Sequence, residues 1–162
     1  MEKKPLIEQE TDELEDEKNP TQLIDEKIYQ LKINNISYIL QIQFDLEKIY
    51  FKLYENKEKN PSYYSNEYDL KSITKLLKLF PDIYNNLNKI MDLLNTSYNN
   101  NKLQLSKIDH HINIIIKIIN GYIEVDCPIL LIKKNIDVKE KLKQIINKNN
   151  FEKKRLKKTK IF

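Results

Sequence analysis

A pair of adjacent histidines, a lone cysteine, a tyrosine pair and a terminal lysine run are the residues of this 162-residue chain whose chemistry stands out. Asp109-His110-His111 holds both histidines. A metal centre needs donors that converge on one point, and adjacent residues of a strand point to opposite faces. The sequence has no HxH, HxxxH or HExxH spacing, so these three residues read as a turn. The single Cys127 excludes an internal disulfide framework and a cysteine zinc cluster, and it fits a reducing, intracellular setting. A nucleophilic cysteine needs exposure and a basic neighbour. Cys127 is instead expected on a core face opposite Ile114, as a buried structural thiol. With one glycine the chain has neither GxGxxG nor a P-loop. No catalytic, cofactor-binding or metal-ligating residue is therefore expected, and neither are an enzyme activity, a cofactor and a small-molecule substrate.

Tyr63-Tyr64 beside Pro61 is compatible with an aromatic platform for single-stranded nucleic acid. Tyr29 and Tyr38, however, fall on an apolar face, and core tyrosines with hydroxyls at the rim are the expected role. Lys148, Lys153, Lys154, Arg155, Lys157, Lys158 and Lys160 are the candidate contacts for an anionic partner: nucleic acid, an anionic surface or a nuclear-targeting receptor. Only one guanidinium is present, which speaks against bidentate readout of bases or phosphates.

Charge is arranged as a gradient. Residues 1–26 carry ten acids against three bases, a net −7, and residues 133–162 carry twelve bases against three acids, a net +9. The acidic segment is expected to be a disordered, solubilising tail, or else a contact for a basic surface such as the chain's own C-terminus. The chain has 27 Lys but one Arg, 25 Ile but two Val, 19 Asn and no Ala, a skew that AT-rich coding DNA produces. The lysine count is thus weaker evidence of function than the gradient.

The elements that position these residues follow from periodicity. In residues 27–54, Tyr29, Leu31 and Ile33, then Ile36, Tyr38, Leu40, Ile42 and Phe44, recur at every second position. Asn34-Asn35 suits a two-residue turn with positive φ. The predicted pairs are Ile33 with Ile36, Leu31 with Tyr38 and Tyr29 with Leu40, then Phe44 with Ile49, Ile42 with Phe51 and Leu40 with Leu53. All fall on one face, with Gln41, Gln43 and Lys52 pointing away. Residues 63–68 form a possible fourth strand. Asp69 is the expected N-cap of a helix with a Leu70, Ile73, Leu76, Leu77, Phe80 stripe. Pro81 ends it and starts a second helix carrying Ile83, Leu87, Ile90, Met91 and Leu94, closed by Asn99-Asn100-Asn101. An Asp109-His110 turn pairs Leu105 with Ile114 and Leu103 with Ile116. Asn120-Gly121 is the predicted turn of the next hairpin, pairing Ile118 with Ile123, Ile116 with Val125, Ile114 with Cys127 and Ile112 with Ile129, with Lys117 opposite Glu124 and Pro128 opposite Asn113. Near Asp137 a basic helix begins, with Leu142, Ile145 and Ile146 on its apolar side; its heptad pattern is too polar for a self-sufficient coiled coil and suits docking.

The fold class is α+β: an antiparallel meander of three or four strands, a helical pair, a second three-stranded antiparallel meander and a basic C-terminal helix, with helices on one face. The division is 1–26 acidic tail, 27–135 α+β domain and 136–162 basic helix or tail. This order resembles the layout of the small head domains that cap coiled coils in centriolar and DNA-end-joining scaffold proteins, a likeness that implies a fold rather than a function. The N-terminus has no apolar leader region, and no segment nears the roughly 20 apolar residues of a membrane span, so an intracellular place, cytoplasmic or nuclear, is expected. The functional expectation is a non-catalytic protein-interaction or scaffold module acting through its sheet surface and C-terminal helix, with a protein partner or self-association. The alternative is nucleic-acid binding through the basic C-terminal region.

Overall fold

A computed structural model describes residues 23–148. Strands β1 (Asp25–Ile33), β2 (Ile36–Phe44), β3 (Lys48–Glu55) and β4 (Tyr63–Asp69) form an antiparallel meander. Helices α1 (Leu70–Leu76) and α2 (Leu87–Asn99) follow, then β5 (Leu103–Ile108), β6 (His111–Asn120) and β7 (Ile123–Lys134). Residues 139–148 form a third helix, α3. The chain is α+β, as expected, and no described helix is long and apolar enough to cross a membrane.

Two things differ from separate meanders with helices on one face. β4 pairs with β7 through Tyr63–Lys134, Tyr64–Lys133 and Ser65–Ile132. The result is one seven-stranded sheet in the order β1-β2-β3-β4-β7-β6-β5, whose end strands β1 and β5 curl into contact, so the sheet is nearly barrel-like. The helices also lie on both faces. Inside the curl, Ile73 and Leu77 with Leu87, Ile90, Met91 and Leu94 join the inward residues of all seven strands in one core. Outside it, Val138, Leu142 and Ile145 pack on Ile39, Tyr54 and Tyr63.

The first meander has the register its alternation implies. Ile33 faces Ile36, Tyr29 faces Leu40 and Leu40 faces Leu53. Asn34 and Asn35 both take positive φ, 50° and 69°, the pattern of a type I′ hairpin turn. The hairpin at Asp109 likewise pairs Leu105 with Ile114 and Leu103 with Ile116.

The last hairpin is a correction. Its turn residues are Gly121 and Tyr122, because Asn120 pairs with Ile123. Only Gly121, the first of the two, has positive φ (71°), which matches a type II′ turn rather than the type I′ expected for Asn120-Gly121. Moving the turn by one residue moves the register by two, and side chains repeat every two residues. The same face therefore stays apolar while every partner changes. Cys127 faces Ile116 rather than Ile114, Val125 faces Ile118 and Ile129 faces Ile114. Lys117 pairs with Asp126, at 2.9 Å, and Glu124 pairs instead with Lys102. Pro128 lies opposite Ile115, on a stretch of β7 that β4 does not reach. A residue without an N–H is tolerated at such an edge.

The helical pair is also shorter than its apolar stripes. The N-cap is as expected, with Ser72 N donating to Asp69 Oδ1. The helix then stops before Phe80, because Lys78 turns left-handed at φ 56°. Lys78 N donates to Lys75 O and Leu79 N to Thr74 O, the two bonds of a Schellman ending. Pro81 starts only a turn, and α2 begins at Leu87, where Lys89 N donates to Asn86 Oδ1. Asn101 (φ 59°) ends α2 in the same way as Lys78 ends α1. Asparagine tolerates this conformation, whereas lysine pays about 1–2 kcal/mol for it. Lys78→Gly should therefore raise stability by about 0.5–1 kcal/mol after the cost of glycine in the unfolded chain. A urea midpoint that stays put or falls would contradict the left-handed ending.

Candidate interaction surface

The residues that drew attention in the sequence are distributed as follows. Cys127 is 1% exposed and its thiol lies 3.7 Å from Leu77 O. Burial pushes its pKa up, against the opposing charge of Lys78, which is the reverse of what a nucleophile needs. Asp109 takes positive φ in its turn, His110 is exposed, and His111 Nδ1 accepts a hydrogen bond from Lys133 N at 3.2 Å.

Tyr29, Tyr38, Tyr63 and Tyr64 are structural. Tyr63 and Tyr64 are both buried, against Tyr54 (4.9 Å between ring centroids) and Tyr38 (6.4 Å) respectively. Neither offers a free ring face for base stacking. Tyr29 donates to Asn95 Oδ1 and stacks with Tyr98, which ties β1 to α2. Burial raises the hydroxyl pKa of Tyr29 to about 12, helped by the charge of Asp25, and that of Tyr38 to about 12, helped by Tyr64. An unfolded tyrosine ionises near 10. The folded state thus holds these protons more tightly, so their contribution to stability is complete below pH ~10 and disappears as pH rises towards ~12. A stability profile that stays flat across this window would contradict the burial of both hydroxyls.

The candidate anion contacts divide. Lys148 lies at the end of α3 with Nζ 2.7 Å from Glu26 Oε2. Burial alone would raise the pKa of Glu26, but hydrogen bonds from Lys148 and Gln43 hold it below the usual carboxylate range. Lys153, Lys154, Arg155, Lys157, Lys158 and Lys160 lie outside the described residues, as does most of the acidic segment; Asp25 and Glu26 belong to β1. The apolar side of α3 is consumed by its own sheet. Lys139 N donates to Asp137 Oδ1 at its start, and Val138, Leu142 and Ile145 are each 5% exposed or less.

Among the described residues, a further apolar surface stands out that composition and periodicity do not mark. At the tip of the β6–β7 hairpin, Ile119 and Ile123 are each 66% exposed and Tyr122 is fully exposed. Beside it lies a cleft of about 380 Å³ lined by Leu79, Phe80, Ile83, Tyr84, Leu93, Ile118 and Ile119. Local backbone chemistry builds both. Gly121 permits a tight turn, which carries strand residues Ile119 and Ile123 beyond the core. The early stop at Lys78 releases Phe80 and Ile83 from the helix, leaving them 65% and 56% exposed. Lys78, Lys102 and Lys117 rim the cleft. Lys102 and Lys117 are held by Glu124 and Asp126. An apolar floor with a charged rim is the anatomy of a protein-binding patch. The signal was in the sequence: Ile119, Tyr122 and Ile123 are bulky and apolar around the turn, where solvent exposure is certain and polar residues are usual.

No family model and no curated protein matches the sequence. Among solved structures, the head domain of human CCDC61 has the same overall fold, with a TM-score of 0.51 over 68% of this chain and 97% of that chain, at 8% identity. At that identity the likeness concerns the fold, and it agrees with the head-domain layout read from the order of elements.

Proposed function

We propose that this chain is a non-catalytic interaction module that binds another protein chain, a second copy of itself included, through the β6–β7 tip and the adjoining cleft. One observation carries the reading: three large apolar side chains project from a turn next to an apolar cleft that none of the described residues fills. Burying a side chain of this size contributes about 1.5–3 kcal/mol, so the tip and the cleft together offer the apolar area a contact needs. The head domain of human CCDC61 shares the fold, and a fold of this kind is compatible with an interaction role. The role first assigned to the C-terminal helix narrows accordingly. Its described apolar side holds the helix to its own sheet, so partner contact falls to the hairpin and cleft.

The test is sedimentation velocity of the full chain over a wide concentration range, combined with a photo-crosslinker at position 122. Species heavier than the 19.5 kDa monomer, or a defined cross-linked protein, are expected. A strictly monomeric chain that cross-links to nothing in cell extract overturns the proposal.

A further inference from the structure

The outer side of the sheet carries a second concavity. It encloses about 640 Å³ between α3 and the outward faces of β2, β3 and β4. Four lysines line it, Lys48, Lys52, Lys134 and Lys141, against two acids, Asp45 and Glu67. Both acids are already engaged. Asp45 is 3% exposed and accepts from Glu47 N, Lys48 N and the Tyr50 hydroxyl. Glu67 pairs with Lys48 at 2.6 Å. Lys134 and Lys141 have no ion-pair partner among the described residues, so the cleft carries net positive charge over a polar floor.

The strand registers gather donors at one end of this cleft. Lys52 faces Ser65, which sets their Cβ atoms about 5 Å apart. Lys134 faces Tyr63, so it is the diagonal neighbour of Ser65, about 7–8 Å away and within reach of a long side chain. Lys141 enters from the first turn of α3. The Ser65 residue is half-buried, and its hydroxyl is bonded to no other described residue. We infer that this cleft binds a phosphate monoester, carried by a small metabolite or by a phosphorylated side chain, with Lys52, Lys134, Lys141 and Ser65 as its donors. Three ammonium groups outmatch a single carboxylate. A phosphate monoester carries about −1.5 to −2 at neutral pH and three acceptor oxygens, which suits both the charge and the donors. Lysine binds phosphate as a point charge and needs no bidentate geometry. The volume also lies within the range of about 300–1,000 Å³ that small-ligand sites span, so the cleft holds more than the phosphate group itself. The site is on a different face from the hairpin tip, and the inference goes beyond the proposed function without depending on it.

The test is a titration of the isotope-labelled full chain, followed by its amide spectrum, with AMP and with a short phosphoserine peptide. Adenosine, the unphosphorylated peptide and inorganic phosphate are the controls. Saturable shifts of Lys52, Ser65, Lys134 and Lys141 are expected with at least one phosphorylated probe, and the tighter of the two identifies the source of the phosphate. Lys134→Gln/Lys141→Gln, with the rest of its spectrum in place, should weaken binding about ten-fold or more, and Ser65→Ala roughly 2–10-fold. Salt at about 0.5 M should weaken it as well, because exposed charges are screened there. Failure of both phosphorylated probes to bind would overturn the inference, as would shifts centred outside the cleft or an affinity that the substitutions leave unchanged. Inorganic phosphate that binds as tightly as both esters would show an adventitious ion only, and would overturn it too.

Discussion

Replacing Phe51 by alanine is expected to remove about 3–5 kcal/mol of folding stability. Phe51 lies in the middle of β3, fully buried, between Ile42 on β2 and Asn66 on β4. Its ring meets Tyr68 edge-on at 6.0 Å and 72°. Truncation removes the apolar area of the ring and leaves a cavity that the paired strands cannot collapse around. A domain of this size holds about 5–15 kcal/mol in total, so the variant should unfold at a much lower urea midpoint, with the slope unchanged. The matched control is Leu46→Ala, in the β2–β3 loop and 81% exposed. It should change stability by no more than about 0.5 kcal/mol. Equal losses at the two positions would mean that the inner face of the sheet is not the core.

The second large effect concerns association and not folding. Ile119→Asp and Tyr122→Asp each place a carboxylate where the proposed contact must be dry. Both side chains are exposed in the isolated chain, so thermal stability should stay within about 0.5 kcal/mol of the parent. Central contact residues typically carry 2 kcal/mol or more, so each change should weaken association by about 30-fold or more. Phe80→Asp, on the cleft side, should have an effect of similar size. A double change across the contact, Tyr122→Asp with Phe80→Asp, should cost less than the sum of the single changes if the tip of one chain enters the cleft of another. Additive losses would place the two residues in separate contacts. Association that survives all three substitutions would exclude this surface.

Much of the fold was legible because strand patterning is a parity signal. The run from Tyr29 to Leu53 repeats every two residues through two turns, and a slip of one would have inverted every side chain. That is why the first meander's pairs could be read directly, and why the inward set of β6 and β7 survived a misplaced turn. The turn itself was less secure. Asn120-Gly121 and Gly121-Tyr122 both suit a two-residue loop, and they differ by a shift of two that parity cannot detect. Helix ends are less legible for a related reason. The apolar stripe runs on through Phe80 and Ile83, and nothing in a lysine at position 78 announces a left-handed residue; a glycine there would have done so. The outer contact of α3 left a fainter trace. Ile39 sits between Tyr38 and Leu40, Tyr54 follows Leu53, and Tyr63 precedes Tyr64, so each strand is apolar on both faces at one end. The registers bring Ile39, Tyr54 and Tyr63 into one row, and that row is where α3 docks.

By itself, then, the sequence determined which residues turn inward, where Asn34-Asn35 reverses the chain, and that no HxH, HxxxH, HExxH, GxGxxG or P-loop spacing occurs. These are local properties, set by periodicity and by the φ preferences of single residues. Tertiary structure alone decided that β4 joins β7, that α3 takes the outer face, and that Phe80, Ile83 and the Tyr122 tip stand together in solvent. Those depend on which surfaces meet when the sheet curls. Such contacts join residues far apart in the chain, and no local pattern encodes the meeting of two surfaces that are each separately compatible with water.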